Sequence, residues 1–187
     1  MIDQISPPRI DPDAALVEQA RAELPHGTAA FEELVRTHER LVFGVCVRLM
    51  NDRTDAEDVM QEVWLKVFNA LGKFEGRSLF KTWLMSIVVN SCSTARDQRK
   101  RSRETATRLA AEPKQESTRE MSTEELDADT LLKRLPAEER EVLILRFVAD
   151  LSFEEIAEVA GVGLSAAKMR VYRAADHLRA VTEAAER

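Results

Sequence analysis

Two groups of basic side chains are the residues of this sequence best suited to meet a phosphate backbone. Arg96, Arg99, Lys100, Arg101 and Arg103 form one run, and Lys168, Arg170 and Arg173 form the other. A lysine offers phosphate a point charge, whereas an arginine can also grip the edge of a guanine with two parallel N–H donors. No other chemistry assembles. His26, His38 and His177 sit in unrelated contexts, and the serines lack a paired histidine and acid. There is no phosphate-cradling glycine loop, and Cys46 and Cys92 have neither CxxC spacing nor a histidine cluster beside them. No catalytic residue, metal site or cofactor is expected. His38 and Cys46 fall on an apolar helical stripe and read as packed core groups, the cysteine reduced.

The second basic group belongs to the most informative stretch, LSFEEIAEVAGVGLSAAKMRVYRAADHLR, residues 151–179. Ser152 and Glu155 have the spacing of a capping box, in which each satisfies a free backbone N–H of the other's turn. Ile156, Val159 and Ala160 continue that short helix, and Gly161 suits a turn needing positive φ. A second helix then buries Leu164, Ala167, Val171, Ala174 and Leu178, at spacings of 3 and 4 residues. Ser165, Lys168, Met169, Tyr172 and Arg173 share a different face. Two short helices around a glycine turn, the second with a basic outer face, describe a helix-turn-helix. An ordinary helical hairpin is the plainer alternative for this stretch taken alone.

Composition bounds the rest. Among 187 residues, 32% are charged, 5% are aromatic, and there are 6 Gly and 6 Pro, which predicts an all-α protein. The N-terminal MIDQISPPRIDPD lacks a basic start and an apolar core, so no secretory leader is expected. No apolar run approaches the ~20 residues that span a bilayer. A cytoplasmic protein without membrane insertion is the expectation. The formal net charge of −6 is unevenly spread: −3 over residues 1–27, +3 over 28–103, −4 over 104–128 and −2 over 129–187. Local charge, rather than the total, sets the field at a docking surface.

These shifts divide the chain. Residues 1–27 are a proline-bearing tail in which only residues 14–24 suit a short helix. Residues 28–103 form a domain whose first helix carries Phe31, Leu34, Val35, His38, Leu41, Val42, Val45 and Leu49 on one stripe. Thr54 and Glu57 have capping-box spacing for the next helix, which keeps Ala56, Val59, Met60, Val63, Trp64, Val67, Phe68 and Leu71 on one face. Asp55, Asp58, Gln61, Glu62 and Leu65 fall on the outer face. A leucine among acids suits a protein-docking surface, or is an exposed leucine of no consequence. After the break KFEGRS, a helix over residues 79–97 runs into the first basic group. Its Phe80 and Trp83 are read as core, leaving the loop and the polar face for any splayed single strand. Residues 104–128, rich in Glu, Thr and Ser, lose the apolar period and read as a flexible acidic linker. Residues 129–187 resume with Leu131, Leu132 and Leu135, then Pro136 opening a helix that buries Val142, Leu143, Leu145 and Phe147, ahead of the helix-turn-helix.

With both blocks in view, the sequence resembles a family. DAEDVMQEVWLKVFNAL (residues 55–71) and KFEGRSLFKTWLMSIVVN (residues 73–90) resemble region two of the extracytoplasmic-function sigma factors. LKRLPAEEREVLILRFVADLSFEEIAEVAGVGLSAAKMRVYRA (residues 132–174) resembles their region four. The resemblance implies two small helical domains and a dissociable promoter-specificity subunit of bacterial core RNA polymerase. It implies that Asp55, Asp58, Gln61, Glu62 and Leu65 dock on the clamp of the largest subunit, while region four meets the flap of the second largest. It implies that Phe74, Glu75, Gly76, Arg77 and Ser78, with Asn90, Arg96, Arg99 and Lys100, meet the melted minus-ten promoter DNA. Ser165, Lys168, Met169, Tyr172 and Arg173 would read the minus-thirty-five element. Where the family usually has Gly-Thr-Val, this chain has Ser165, Ala166 and Ala167, and Met169 stands where a serine is frequent, so the family's target sequence does not carry over. No appended regulatory domain is expected, and the resemblance then implies control by a separate anti-sigma factor. The rival reading is a stand-alone helix-turn-helix regulator, for which residues 28–103 supply no evident sensor or dimerisation domain.

Overall fold

The computed structural model describes residues 10–109 and 128–185, and all regular structure among them is helical. The N-terminal half comprises α1 (Ala14–Glu23), α2 (Ala29–Met50), α3 (Arg53–Leu71) and α4 (Phe80–Leu109). The C-terminal half comprises α5 (Ala128–Lys133), α6 (Ala137–Phe147), α7 (Phe153–Val159) and α8 (Leu164–Ala185).

The apolar stripes dictate the N-terminal packing. Along α2, Phe31, Leu34, His38, Val42, Val45 and Leu49 are buried against α1, α3 and α4. The helix stops at Asn51, which takes the left-handed conformation that asparagine tolerates (φ 61°). α3 starts one residue ahead of Thr54, so the expected Thr54–Glu57 box does not form. Asp52 is the cap instead: its backbone is extended and its carboxylate accepts the Asp55 N–H at 3.0 Å. Phe31 meets the edges of Trp64 at 6.3 Å and Phe68 at 5.2 Å. On α4, Phe80, Leu84, Met85, Val88 and Cys92 are buried. Cys46 and Cys92 are free thiols, Sγ to Sγ 3.9 Å, and the contact with Cys92 together with burial pushes the Cys46 thiol up. α4 is longer than its apolar pattern, running through the basic group to Leu109. The start of the expected linker is therefore helical, and residues 110–127 lie outside the described residues.

In the C-terminal half, α6 buries Val142, Leu143, Ile144 and Leu145, and α8 buries Ala167, Val171 and Ala174. Two expected core residues stand out of it. Phe147 is 71% exposed because α6 ends there, leaving its ring on the rim of an apolar cavity of about 300 Å3 with Leu131, Leu132 and Leu178. Leu164 opens α8 and is 38% exposed, whereas the burial of that helix begins at Ala167.

The halves touch through α2 and α4 on one side and α5, α6 and α7 on the other. Polar contacts organise this junction. Thr82 on α4 donates its hydroxyl to Glu155 on α7 at 2.9 Å, Arg48 pairs with Asp129 at 2.8 Å, and Arg96 faces Glu141 at 3.7 Å. Burial raises the Glu141 carboxyl, with Arg96 opposing it, and burial beside Arg96 lowers Arg140. Leu84, fully buried where α4 meets the stripes of α2 and α3, should be costly to truncate. Leu84→Ala is expected to destabilise the N-terminal half by about 2–5 kcal/mol, read from denaturant unfolding followed by circular dichroism.

Candidate functional site

On α3 the outward residues separate into two kinds. Asp58, Gln61 and Glu62 are exposed, and Leu65 is 64% exposed between them. Glu62 reaches Lys66 one turn on, at 3.6 Å. Asp55 departs from the expected outer face: it is 5% exposed and ion-paired with Arg99 of α4. The helical wheel of α3 alone points Asp55 outward. The extra turns of α4 pass over it there and bring a guanidinium to the carboxylate. One residue assigned to protein docking and one assigned to DNA thus occupy each other.

The break between α3 and α4 owes its shape to Gly76, whose φ of +69° strains any residue bearing a side chain. Glu75, Gly76 and Arg77 are exposed, with Arg77 paired to Glu75, and Ser78 is half-buried. Phe74 does not join them. Its ring is 7% exposed, 4.8 Å from Trp83 and 6.1 Å from Phe80, so the aromatic cluster of α4 draws it into the core. Phe80 is fully buried, as the sequence reading had it, and Trp83 is partly so. Farther along α4, Asn90 and Lys100 are exposed, whereas Arg96 turns toward Glu141. The structure therefore offers Glu75, Gly76, Arg77, Asn90 and Lys100 to a partner more readily than Phe74, Arg96 or Arg99.

The helix-turn-helix forms as its residue types require. Ser152 accepts the Glu155 N–H at 3.2 Å, the Glu155 carboxylate accepts the Ser152 N–H at 2.7 Å, and Gly161 turns the chain at φ +63°. On α8, Ser165, Met169, Tyr172 and Arg173 are exposed, Met169 and Tyr172 by more than half. Lys168 is half-buried because its ammonium lies over the Phe153 ring at 5.8 Å. Tyr172 lies 5.7 Å from the same ring, and Arg146 covers it at 5.1 Å. Phe153 thus organises this face of α8. Sequence reasoning passed it over, although an aromatic directly after the cap of a short helix was the available signal.

Comparison with known proteins decides what these faces belong to. The Sigma-70 region 2 family model matches residues 34–102, and the Sigma-70 region 4 model matches residues 125–178. The RNA polymerase sigma-H factor of Pseudomonas aeruginosa is 31% identical over 158 residues, spanning 78% of this chain and 82% of that one. The RNA polymerase sigma factor CarQ of Myxococcus xanthus is 36% identical over 156 residues, spanning 80% and 87%. An ECF RNA polymerase sigma-E factor of Haemophilus influenzae is 30% identical, spanning 87% and 90%. The chain belongs to the extracytoplasmic-function sigma factors of the sigma-70 family. Among solved structures, this sigma factor is similar to CnrH in complex with the cytosolic domain of CnrY, at 25% identity with a TM-score of 0.69 over 92% of this chain and 97% of that one. It is also similar to RpoE in complex with the anti-sigma factor NepR from Bartonella quintana, at 25% identity with a TM-score of 0.65 over 82% and 96%.

Within this sigma factor, the Asp55–Arg99 pair is open to a direct test. Arg99→Ala should strand a buried carboxylate and cost about 1–3 kcal/mol of stability. Adding Asp55→Asn should recover most of that loss, because the neutral amide costs less to leave unpaired. Denaturant unfolding of the two single variants and the double variant measures both.

Proposed function

We propose that this chain is an alternative sigma factor that binds bacterial core RNA polymerase, recognises the minus-thirty-five and minus-ten promoter elements and promotes melting between them. Its part is to position and bind, with no catalytic step of its own, and its place of work is the cytoplasm. The observation that carries the reading is the pair of region matches, in family order, each bearing an exposed face of the right chemistry. The region-two match carries Asp58, Gln61, Glu62 and Leu65, and the region-four match carries Ser165, Lys168, Met169, Tyr172 and Arg173. The domain division into residues 28–103 and 129–187, with residues 104–128 between, is part of the proposal.

In this reading the α3 face docks on the clamp of the largest polymerase subunit. The exposed Phe147, above its apolar cavity, is the contact for the flap of the second largest. Glu75, Gly76, Arg77, Ser78 and Asn90 meet the melted strand, with Lys100 toward its backbone. Arg96 and Arg99 join them only on leaving Glu141 and Asp55. An anti-sigma factor controls the chain. The region-two match leaves the stand-alone regulator without support.

Transcription from candidate promoters by core polymerase, with and without this protein, tests the reading as a whole. Stimulation that needs both the protein and a promoter is expected, and duplex binding with no effect on core enzyme would count against it. The variant carrying Asp58→Arg and Leu65→Glu is expected to lose co-purification with core polymerase while keeping its helical circular dichroism.

Arg173→Ala tests the other face. A bidentate guanine contact is worth roughly 1–3 kcal/mol, so promoter activity should fall about tenfold, with discrimination relaxed at one base of the minus-thirty-five element. If Arg173 meets only phosphate, binding should weaken alike on all sequences and the salt dependence should drop by about one ion. Promoter variants measured at two salt concentrations separate the two.

A further inference from the structure

Upstream of the region-two match, the chain does something that the family model does not cover. Phe80 is the first residue of α4 and directly follows the exposed loop. The residue before it, Leu79, has no side-chain acceptor with which to cap the helix. The cap comes from 69 residues away: Asp11 Oδ2 accepts the Phe80 N–H at 2.7 Å. Asp11 Oδ1 also accepts the Asp13 N–H at 3.0 Å, which ties the two acids into one unit. Asp13 stands at the N-cap position of α1 but gives its own helix no side-chain bond. Its carboxylate turns to His38 of α2, Oδ2 to Nε2 2.9 Å, both residues being more than nine-tenths buried. The His38 ring lies 5.5 Å from the Phe80 ring, and Phe80 in turn packs on Phe74, at the other end of the loop.

Asp11 therefore holds the Phe80 backbone, and Asp13 holds the histidine against which the Phe80 ring rests. Both ends of the loop hang on that phenylalanine. The same N-terminal segment also borders the space beside the loop: Asp11, Ala14, Glu18 and Arg21 line a cavity of about 570 Å3 together with the loop, Thr82 and the α7 glutamates Glu154, Glu155 and Glu158. A loop that selects a base must be held to within a fraction of an ångström by partners whose own positions are locked.

We propose that Asp11 and Asp13 are positioning residues for minus-ten recognition, an N-terminal brace that fixes the pose of the loop at residues 74–78. This inference rests on the reading of that loop as the base-selecting element. The brace acts through Phe80 and His38 and touches no DNA. Its loss should blur the choice of base at the minus-ten element while sparing the α3 and α8 faces.

The test uses the full chain with core polymerase and a promoter set varied one base at a time in each element. Asp11→Ala is expected to lower the preference for the best minus-ten base about fivefold or more. Core binding and minus-thirty-five discrimination should stay as in the parent. Asp11→Asn keeps an acceptor oxygen for the Phe80 N–H and should restore most of the preference, a rescue that generic loosening of the fold would not give. Asp13→Ala should resemble Asp11→Ala. Asp11→Glu, which keeps charge and acceptor but reaches farther, should shift the preference even if Asp11→Ala fails to fold.

Unchanged minus-ten preference in a folded Asp11 variant overturns the brace, as does an equal loss at both elements. A loop variant carrying Glu75→Ala and Arg77→Ala separates the two levels of the argument. If it alters minus-ten preference and the Asp11 variants do not, the brace alone is wrong. If none of them alters it, the loop reading and the brace fall together.

Discussion

A carboxylate taken out of water must have its oxygens occupied, and Glu155 meets that demand with partners from two helices. One oxygen accepts the Ser152 N–H at the start of its own helix, and the other accepts the Thr82 hydroxyl from α4. α7 has only seven residues, too few to persist by backbone hydrogen bonding alone. It holds through its cap and through the burial of Ile156 and Ala157 against neighbours. The residue that starts the helix-turn-helix is thus also the one that joins it to the N-terminal half. Helix initiation and the meeting of the halves share one side chain.

α4 is the element on which the two halves converge. Its first turns carry the aromatic cluster and Thr82, its middle packs on α2 and α3, and its basic end reaches back to Asp55 and across to Glu141. The exposed residues of α3 and those of α8 lie in different halves. The residues between them, on α4, are largely engaged with one or the other.

Much of this was legible in the sequence because it is periodic and local. The stripes of α2, α3 and α8 repeat every three to four residues, and the Ser152–Glu155 cap and the Gly161 turn are set within one helical turn. What the sequence hid is long-range. The α3 wheel sent Asp55 outward, because nothing nearby announces that a guanidinium 44 residues later will cover it. Phe74 read as a loop aromatic because the rings that bury it belong to the next helix. Asp11 read as part of a proline-rich tail, although its carboxylate caps a helix 69 residues away. Phe147 read as core because its spacing fits the stripe, but the helix ends before a neighbour covers it. The exposure of Asp58, Gln61, Glu62 and Leu65 on α3 and of Ser165, Met169, Tyr172 and Arg173 on α8 was recoverable, since no other element covers the outward face there.

The pairing of Arg96 with Glu141 and of Arg99 with Asp55 changes how strongly this surface should respond to electrolyte. A cation that stays on its carboxylate neutralises no phosphate and so releases none of the counterions condensed on the DNA. Of the five charges in the basic run, Arg96 and Arg99 are compensated within the protein. Its polyelectrolyte contribution is then smaller than five charges in sequence suggest, and the apparent affinity should be correspondingly tolerant of changes in ionic strength.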